Sequence, residues 1–146
     1  MTSIEQEKLP VMLSIRGEQY FDGIDPDATE LMTEGTMTLT ENGMVLAYEE
    51  TALTGMEGTT TVFQVEPEKV TLLRTGALSS TMVFQEGVAH DSLYRMEFGT
   101  LMISVKATRV FFDLVEDGGS IDLVYSIVIE NTEAGTIDYH LDIRAK

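Results

Sequence analysis

No cysteine occurs in the 146-residue chain, which excludes a disulfide framework, a thiolate metal site and a cysteine nucleophile. Basic residues are also scarce: nine Lys+Arg stand against 25 Asp+Glu, a formal net charge of −16. Such a field repels phosphate backbones and anionic lipid over most of the surface. The cations that occur, among them Arg16, Lys69, Arg95, Lys106 and Arg109, are scattered rather than clustered. The expectation is no nucleic-acid partner and no membrane partner. No uninterrupted apolar run approaches the roughly 18 residues that a membrane helix needs. The opening segment, Met1-Thr2-Ser3-Ile4-Glu5-Gln6-Glu7-Lys8, has neither the basic region nor the apolar stretch of a secretion signal. Residues 1–9 read as a flexible tail and the protein as cytoplasmic. Helical periodicity is missing too, since no ten-residue stretch carries a 3.6-residue apolar stripe.

What is present suffices for one core. Hydrophobic content of 43% is too high for disorder, and a chain of this length buries roughly two thirds of its extended surface. Residues 1–146 therefore read as a single domain. The dominant signal is period-two alternation. It is cleanest where Ile137, Tyr139, Leu141 and Ile143 alternate with Asp138, His140, Asp142 and Arg144. Ile121 to Ile129, Leu101 to Ala107, and Val110 to Leu114 repeat it. Further strands are expected over residues 10–20, 30–40, 44–50, 59–65, 70–75, 80–85 and 90–98. Turn chemistry separates the runs: Asn42-Gly43 suits a type I′ hairpin, and Glu66–Lys69, Glu116–Gly119 and Asn131–Gly135 suit longer turns. Short strands joined by tight turns predict an all-β antiparallel meander that closes into a barrel.

Residues paired across two strands share a face, so counting outward from each turn predicts the interior. An Asn42-Gly43 turn sets Leu39 against Leu46, Met37 against Tyr48 and Gly35 against Glu50. A turn at Glu66–Lys69 sets Phe63 against Leu72 and Thr61 against Arg74. The later turns set Phe112 against Leu123, Val110 against Tyr125, Tyr125 against Leu141 and Ile127 against Tyr139. A one-residue bulge would reverse any assignment beyond it. The interior then carries Tyr48, Glu50, Arg74, Tyr125 and Tyr139 among aliphatic residues, with Tyr94 beside them. A carboxylate and a guanidinium on an apolar face must be paired or watered. Two readings follow: a Glu50–Arg74 pair that sets register or plugs the barrel, or an Arg74 whose planar fork holds the acidic head of an apolar ligand.

The segments Tyr48-Glu49-Glu50, Arg74-Thr75-Gly76, Met82-Val83-Phe84 and Tyr94-Arg95-Met96-Glu97-Phe98-Gly99, with the strand ending at Ala107-Thr108, resemble the YwiB-like family. These are small cytoplasmic proteins of Gram-positive bacteria, classed as a domain of unknown function, and the resemblance runs from about Met12 to the C-terminus. It implies a calycin-like barrel, the architecture of lipocalins and fatty-acid-binding proteins, and no established activity. The chain departs from both of those groups. Without tryptophan it lacks the Gly-x-Trp signature of lipocalins, and the Gly17–Thr29 connection has no room for a helical lid. Ligand binding is not inherited from the fold.

No catalytic or metal motif stands out. His90, Asp91 and Ser92 are adjacent in sequence, but successive strand residues point to opposite faces, and a solvated turn histidine accounts for His90. Residues 22–27 offer three carboxylates without the calcium-loop pattern, and a solvated loop accounts for them. No cofactor is called for. Met102, Phe111, Val115, Val124 and Val128 fall on the outward side of their strands, and if brought together they would form a homodimer face. The reading is a non-enzymatic calycin-like barrel holding a small amphipathic or anionic ligand, the interior candidates being Glu50, Arg74, Tyr48, Tyr94, Tyr125 and Tyr139. The alternative is a homodimeric interaction module with a packed interior.

Overall fold

The computed structural model describes residues 8–21, 24–41, 43–51, 56–115 and 118–146. Its elements are all strands: β1 (Leu9–Phe21), β2 (Ile24–Leu39), β3 (Met44–Glu49), β4 (Thr59–Val65), β5 (Val70–Gly76), β6 (Ser80–Phe84), β7 (Ala89–Met96), β8 (Gly99–Val115), β9 (Gly118–Ile129) and β10 (Thr132–Ala145). Each pairs antiparallel with its sequence neighbour except across β6 and β7, and β1 pairs with β10. The ten strands thus curl into a nearly closed barrel whose sheet order ends at β6 and β7. That last seam is stitched rather than laddered. Ser79 and Arg95 exchange two backbone hydrogen bonds at one end, of 2.9 and 2.7 Å, and Val88 N donates to Gln85 O at the other.

Leu9, counted in the tail expected over residues 1–9, belongs to β1 and pairs with Met37, and residues 1–7 of that expectation lie outside the described residues. Residues 24–27 belong to β2 rather than to a loop. Two period-two runs predicted as separate, Leu101–Ala107 and Val110–Leu114, form the single strand β8. Their opposite parity is reconciled by a register shift between Ala107 and Arg109, so Val105 and Ala107 on one side and Val110 and Phe112 on the other all meet the core.

Registers differ from the counts in steps that preserve the faces. Met37 pairs with Leu46 and Leu39 with Met44, two residues from the count, because the ladder continues to Thr40 N donating to Gly43 O. Leu39 accordingly sits at the strand end, 47% exposed, beyond the core. Phe112 pairs with Ile121 and Val110 with Leu123, again two residues away. Tyr125 pairs with Ile137 and Leu123 with Tyr139, four residues away, because the last hairpin turns at Glu130-Asn131. Both residues have positive φ, 49° and 64°, as a type I′ turn requires. That turn alone would reverse the parity of β10, and the shift between Glu133 and Gly135 restores it. The Asn42-Gly43 expectation falls partly outside the described residues, and Gly43 serves a different need: a Cβ there would lie 1.8 Å from the Val65 carbonyl oxygen.

The inner face is apolar and closed toward the end that holds the β2/β3 and β4/β5 turns. Met44, Val65, Val70, Phe84 and Ile143 are at most 3% exposed there, and full burial of each such side chain stabilises by roughly 1.5–3 kcal/mol. Gly35 faces Tyr48 rather than Glu50. A Cβ on Gly35 would lie 2.6 Å from Ala47 O and 3.2 Å from Tyr48 Cβ, so the glycine makes room for the tyrosine. Gly17 has no such crowding, its nearest neighbour being Thr29 Oγ1 at 3.5 Å. Gly35→Ala is therefore expected to cost about 1–3 kcal/mol, and Gly17→Ala to stay within about 0.5 kcal/mol of wild type, both read from urea melts.

Candidate functional site

Toward the opposite end, which holds the β1/β2 and β3/β4 connections, the interior turns polar and opens into a cavity of about 310 Å³. Its polar lining is Thr29, Glu30, Tyr48, Glu50, Arg74 and Tyr139, with Ile15, Leu31 and Met56 as apolar wall. Four of the six interior candidates therefore meet at one cavity. Each arrives by parity. Tyr48 lies near the end of β3 and Glu50 directly follows that strand, Thr61 is opposite Tyr48 and also opposite Arg74, and Tyr139 comes from the far half of the chain through β10.

Glu50 is buried and accepts a hydrogen bond from Thr61 Oγ1 at 2.5 Å. Arg74 is half-buried, and its Nε has no hydrogen-bond partner among the described residues. The tyrosines are strongly perturbed. Burial, then the Glu50 carboxylate, pushes the Tyr48 hydroxyl up to about 12, against the opposing pull of Tyr139 and Arg74. Burial holds Tyr139 well above its ordinary value, helped by Tyr48. Tyr125 is pushed by burial to about 12 and lies deeper, its ring 4.6 Å from that of Phe84. Tyr94 lines a separate cleft of about 220 Å³ with Leu78, Met96 and Phe98. Thr61 and the wall residues Ile15, Leu31 and Met56 were not among the candidates. Thr61 was legible in principle, because the same register count that placed Arg74 placed it inside.

Among the described residues neither histidine hydrogen-bonds a serine or threonine hydroxyl. His90 is half-buried on β7 rather than in a solvated turn, and its Nε2 contacts Gln85 Oε1 at 3.2 Å. Ser92 Oγ has no hydrogen-bond partner among the described residues, so no nucleophile–base pair exists between them. His140 lies outside the barrel between Asp122, 2.5 Å from Nδ1, and Asp142, 3.1 Å from Nε2. The hydrogen bond to Asp122 leads the causes that raise its pKa. Among the described residues no group of three or more His, Asp or Glu side chains is placed to hold a metal ion.

The outward apolar residues are not brought together. Val124 is flanked by Arg109 and Asp138, and Val128 by Ser104 and Glu133. Phe111 pairs with Asp122 and carries the Arg109 guanidinium 5.4 Å above its ring. Met102 sits beside Leu93. The side chain of Val115 lies outside the described residues.

Fold and site together define a nearly closed ten-stranded antiparallel barrel with an apolar base and a polar, tyrosine-rich cavity at its other end. The chain belongs to the family described as Domain of unknown function (DUF1934), whose model matches residues 13–143. It is 25% identical over 122 residues to the uncharacterized beta-barrel protein YwiB of Bacillus subtilis (strain 168), covering 84% of each chain. The crystal structure of the B. subtilis ywiB protein superposes with a TM-score of 0.82 at 22% identity, over 95% of this chain and 93% of that one. The YwiB-like resemblance and the all-β barrel expected from the sequence are thereby established, for a family with no described function.

The tyrosines give a pH test. Their folded pKa values lie above the unfolded value near 10, so the stability they contribute is complete below pH 10 and lost as pH rises toward 12. Each unit of separation is about 1.4 kcal/mol. Absorbance titration should show Tyr48, Tyr125 and Tyr139 ionising together with loss of strand signal in that window, and Tyr139→Phe should shift the alkaline midpoint upward.

Proposed function

We propose that this chain is a non-enzymatic, calycin-like binding barrel that holds one small amphipathic molecule bearing an anionic group. The observation that carries the reading is the cavity of about 310 Å³, where Arg74, a donor-only side chain, lines the space beside an aliphatic wall. That volume is at the lower bound of small-molecule sites. The neighbouring carboxylate of Glu50 takes the Thr61 hydroxyl, and the tyrosines stay neutral donors at physiological pH. An alkyl chain would lie against Ile15, Leu31 and Met56, with its acidic end toward Arg74. The broken-up outer face gives no comparable support to the homodimer alternative.

A cytoplasmic site of action fits this reading. Among the described residues no helix is long and apolar enough to cross a membrane. Outward positions of β9 and β10 carry Asp122, Asp138, His140 and Asp142 while inward ones are apolar, the reverse of a membrane barrel's lipid-facing band.

Displacement of anilinonaphthalene sulfonate by medium-chain alkyl carboxylates tests the proposal. One probe per chain should bind and be displaced. Arg74→Met should weaken the carboxylate about tenfold or more, since hydrogen bonds to charged groups are worth about 1.5–3 kcal/mol. A chain that binds no probe, and that carries no retained small molecule in native mass spectra of protein from its own host, would remove the reading.

A further inference from the structure

A second cleft, of about 220 Å³, opens at the same end of the barrel as the polar cavity, between the β3/β4, β5/β6 and β7/β8 connections. The two spaces share a wall, because Met56 lines both. Strand β4 also runs past both. Its residues Thr61 and Thr59 share the inward face: Thr61 donates to Glu50 of the cavity, and the fully buried Thr59 lines the cleft. Leu78 is pinned there by its backbone N, which donates to Thr59 Oγ1 at 3.3 Å, and Tyr94 and Met96 reach the cleft from β7.

The cleft is apolar within and acidic at its edge. Met56, Leu78, Met96 and Phe98 make the apolar part, and Phe98 is 87% exposed at the β7/β8 turn. Glu57 and Glu97 are its charged lining, both exposed, and no cation among the described residues lines it. Covering the phenylalanine removes apolar area from water, while the two carboxylates oppose any anionic group that would do so. The chemistry that fits is therefore uncharged and apolar. Met56 divides the two spaces without sealing them. Its carbonyl accepts from Thr59 N at 3.1 Å, which holds the backbone, but an unbranched thioether side chain repacks readily.

We infer that the cleft beyond Met56 is the tail site of the cavity ligand. The anionic end lies at Arg74, and a single uncharged alkyl chain passes Met56 to end among Leu78, Met96 and Phe98. The inference rests on the function proposed above and narrows it to long-chain monoanions, in preference to short or doubly charged ones.

Titration with straight-chain monocarboxylates from hexanoate to tetradecanoate, below their micellar concentrations and followed by methyl NMR, tests the tail site. The Ile15 and Leu31 methyls should shift with every length, and those of Leu78 and Met96 only with the longer chains. Each methylene that enters the cleft should tighten binding by up to about fourfold, the equivalent of about 0.8 kcal/mol per buried CH₂. Ala77→Phe fills the cleft from an exposed position on its rim, and Phe98→Glu adds a charge at another. Either should remove the gain with length while leaving hexanoate affinity unchanged. The dicarboxylate of dodecanoate's length should bind at least tenfold more weakly than dodecanoate. Hexanoate that binds while longer chains gain nothing, or while the Leu78 and Met96 methyls stay unmoved, overturns the inference and leaves the cavity reading standing. Long-chain affinity untouched by both substitutions, or matched by the dicarboxylate, overturns it as well. If no carboxylate of any length binds, the cavity reading itself fails and the tail site falls with it.

Discussion

The ladder between the first and last strands, running from Val11 opposite Ala145 to Tyr20 opposite Thr136, turns a meander into a barrel, and the remaining structure is arranged around that closure. An open sheet of these strands would leave its apolar face in water and present two full edges. Closure buries Leu13 against Ile143 and Ile15 against Leu141. It also builds the cavity, because Tyr139 from β10 must be carried round to meet Tyr48 and Glu50 from β3. Gly17 of β1 is the residue that the closing ladder sets directly opposite Tyr139. These contacts span almost the whole sequence, so the loop-closure entropy is high and the site can form only when the fold is complete.

A barrel closed by period-two strands forgives some errors of inference and not others. Facing depends on parity, so a count that is out by two or four residues still places every side chain on the correct side. This is why Glu50 and Arg74 were legible as inward residues although the β2/β3 register was out by two. Exact partners were not legible. The last hairpin turns at Glu130-Asn131, whose positive φ angles carry no glycine to announce them. Its bulge at Gly135 and the one between Ala107 and Arg109 then cancel the parity changes they would cause. Bulges of this kind are invisible to alternation alone, except where alternation switches phase, as it does between Ala107 and Val110.

The candidate site divides along the same line. Tyr48, Glu50, Arg74 and Tyr139 were found because a polar group on an apolar stripe stands out. The outer face shows the converse. Val124 and Val128 look continuous along β9, and only lateral pairing reveals Arg109, Asp138, Ser104 and Glu133 between and beside them.

The distribution of charge inside the barrel bears on what it could select. The chain carries a net −16, and at physiological ionic strength that field decays over about 8 Å. Within the cavity the charged lining is Glu30, Glu50 and Arg74, and the tyrosine hydroxyls are held neutral by burial. For the proposed ligand, the exterior field and the two carboxylates of the lining oppose its acidic end, and Arg74 with the neutral hydroxyls is the set of groups that would receive it. Steering of the kind that speeds association in oppositely charged pairs is absent. Discrimination then has to come from the match between fixed donors and acceptor geometry, and from the aliphatic wall that an inorganic ion cannot use. For the proposed amphiphile the aliphatic wall supplies what a bare anion cannot use, area removed from water in return for crossing the negative exterior.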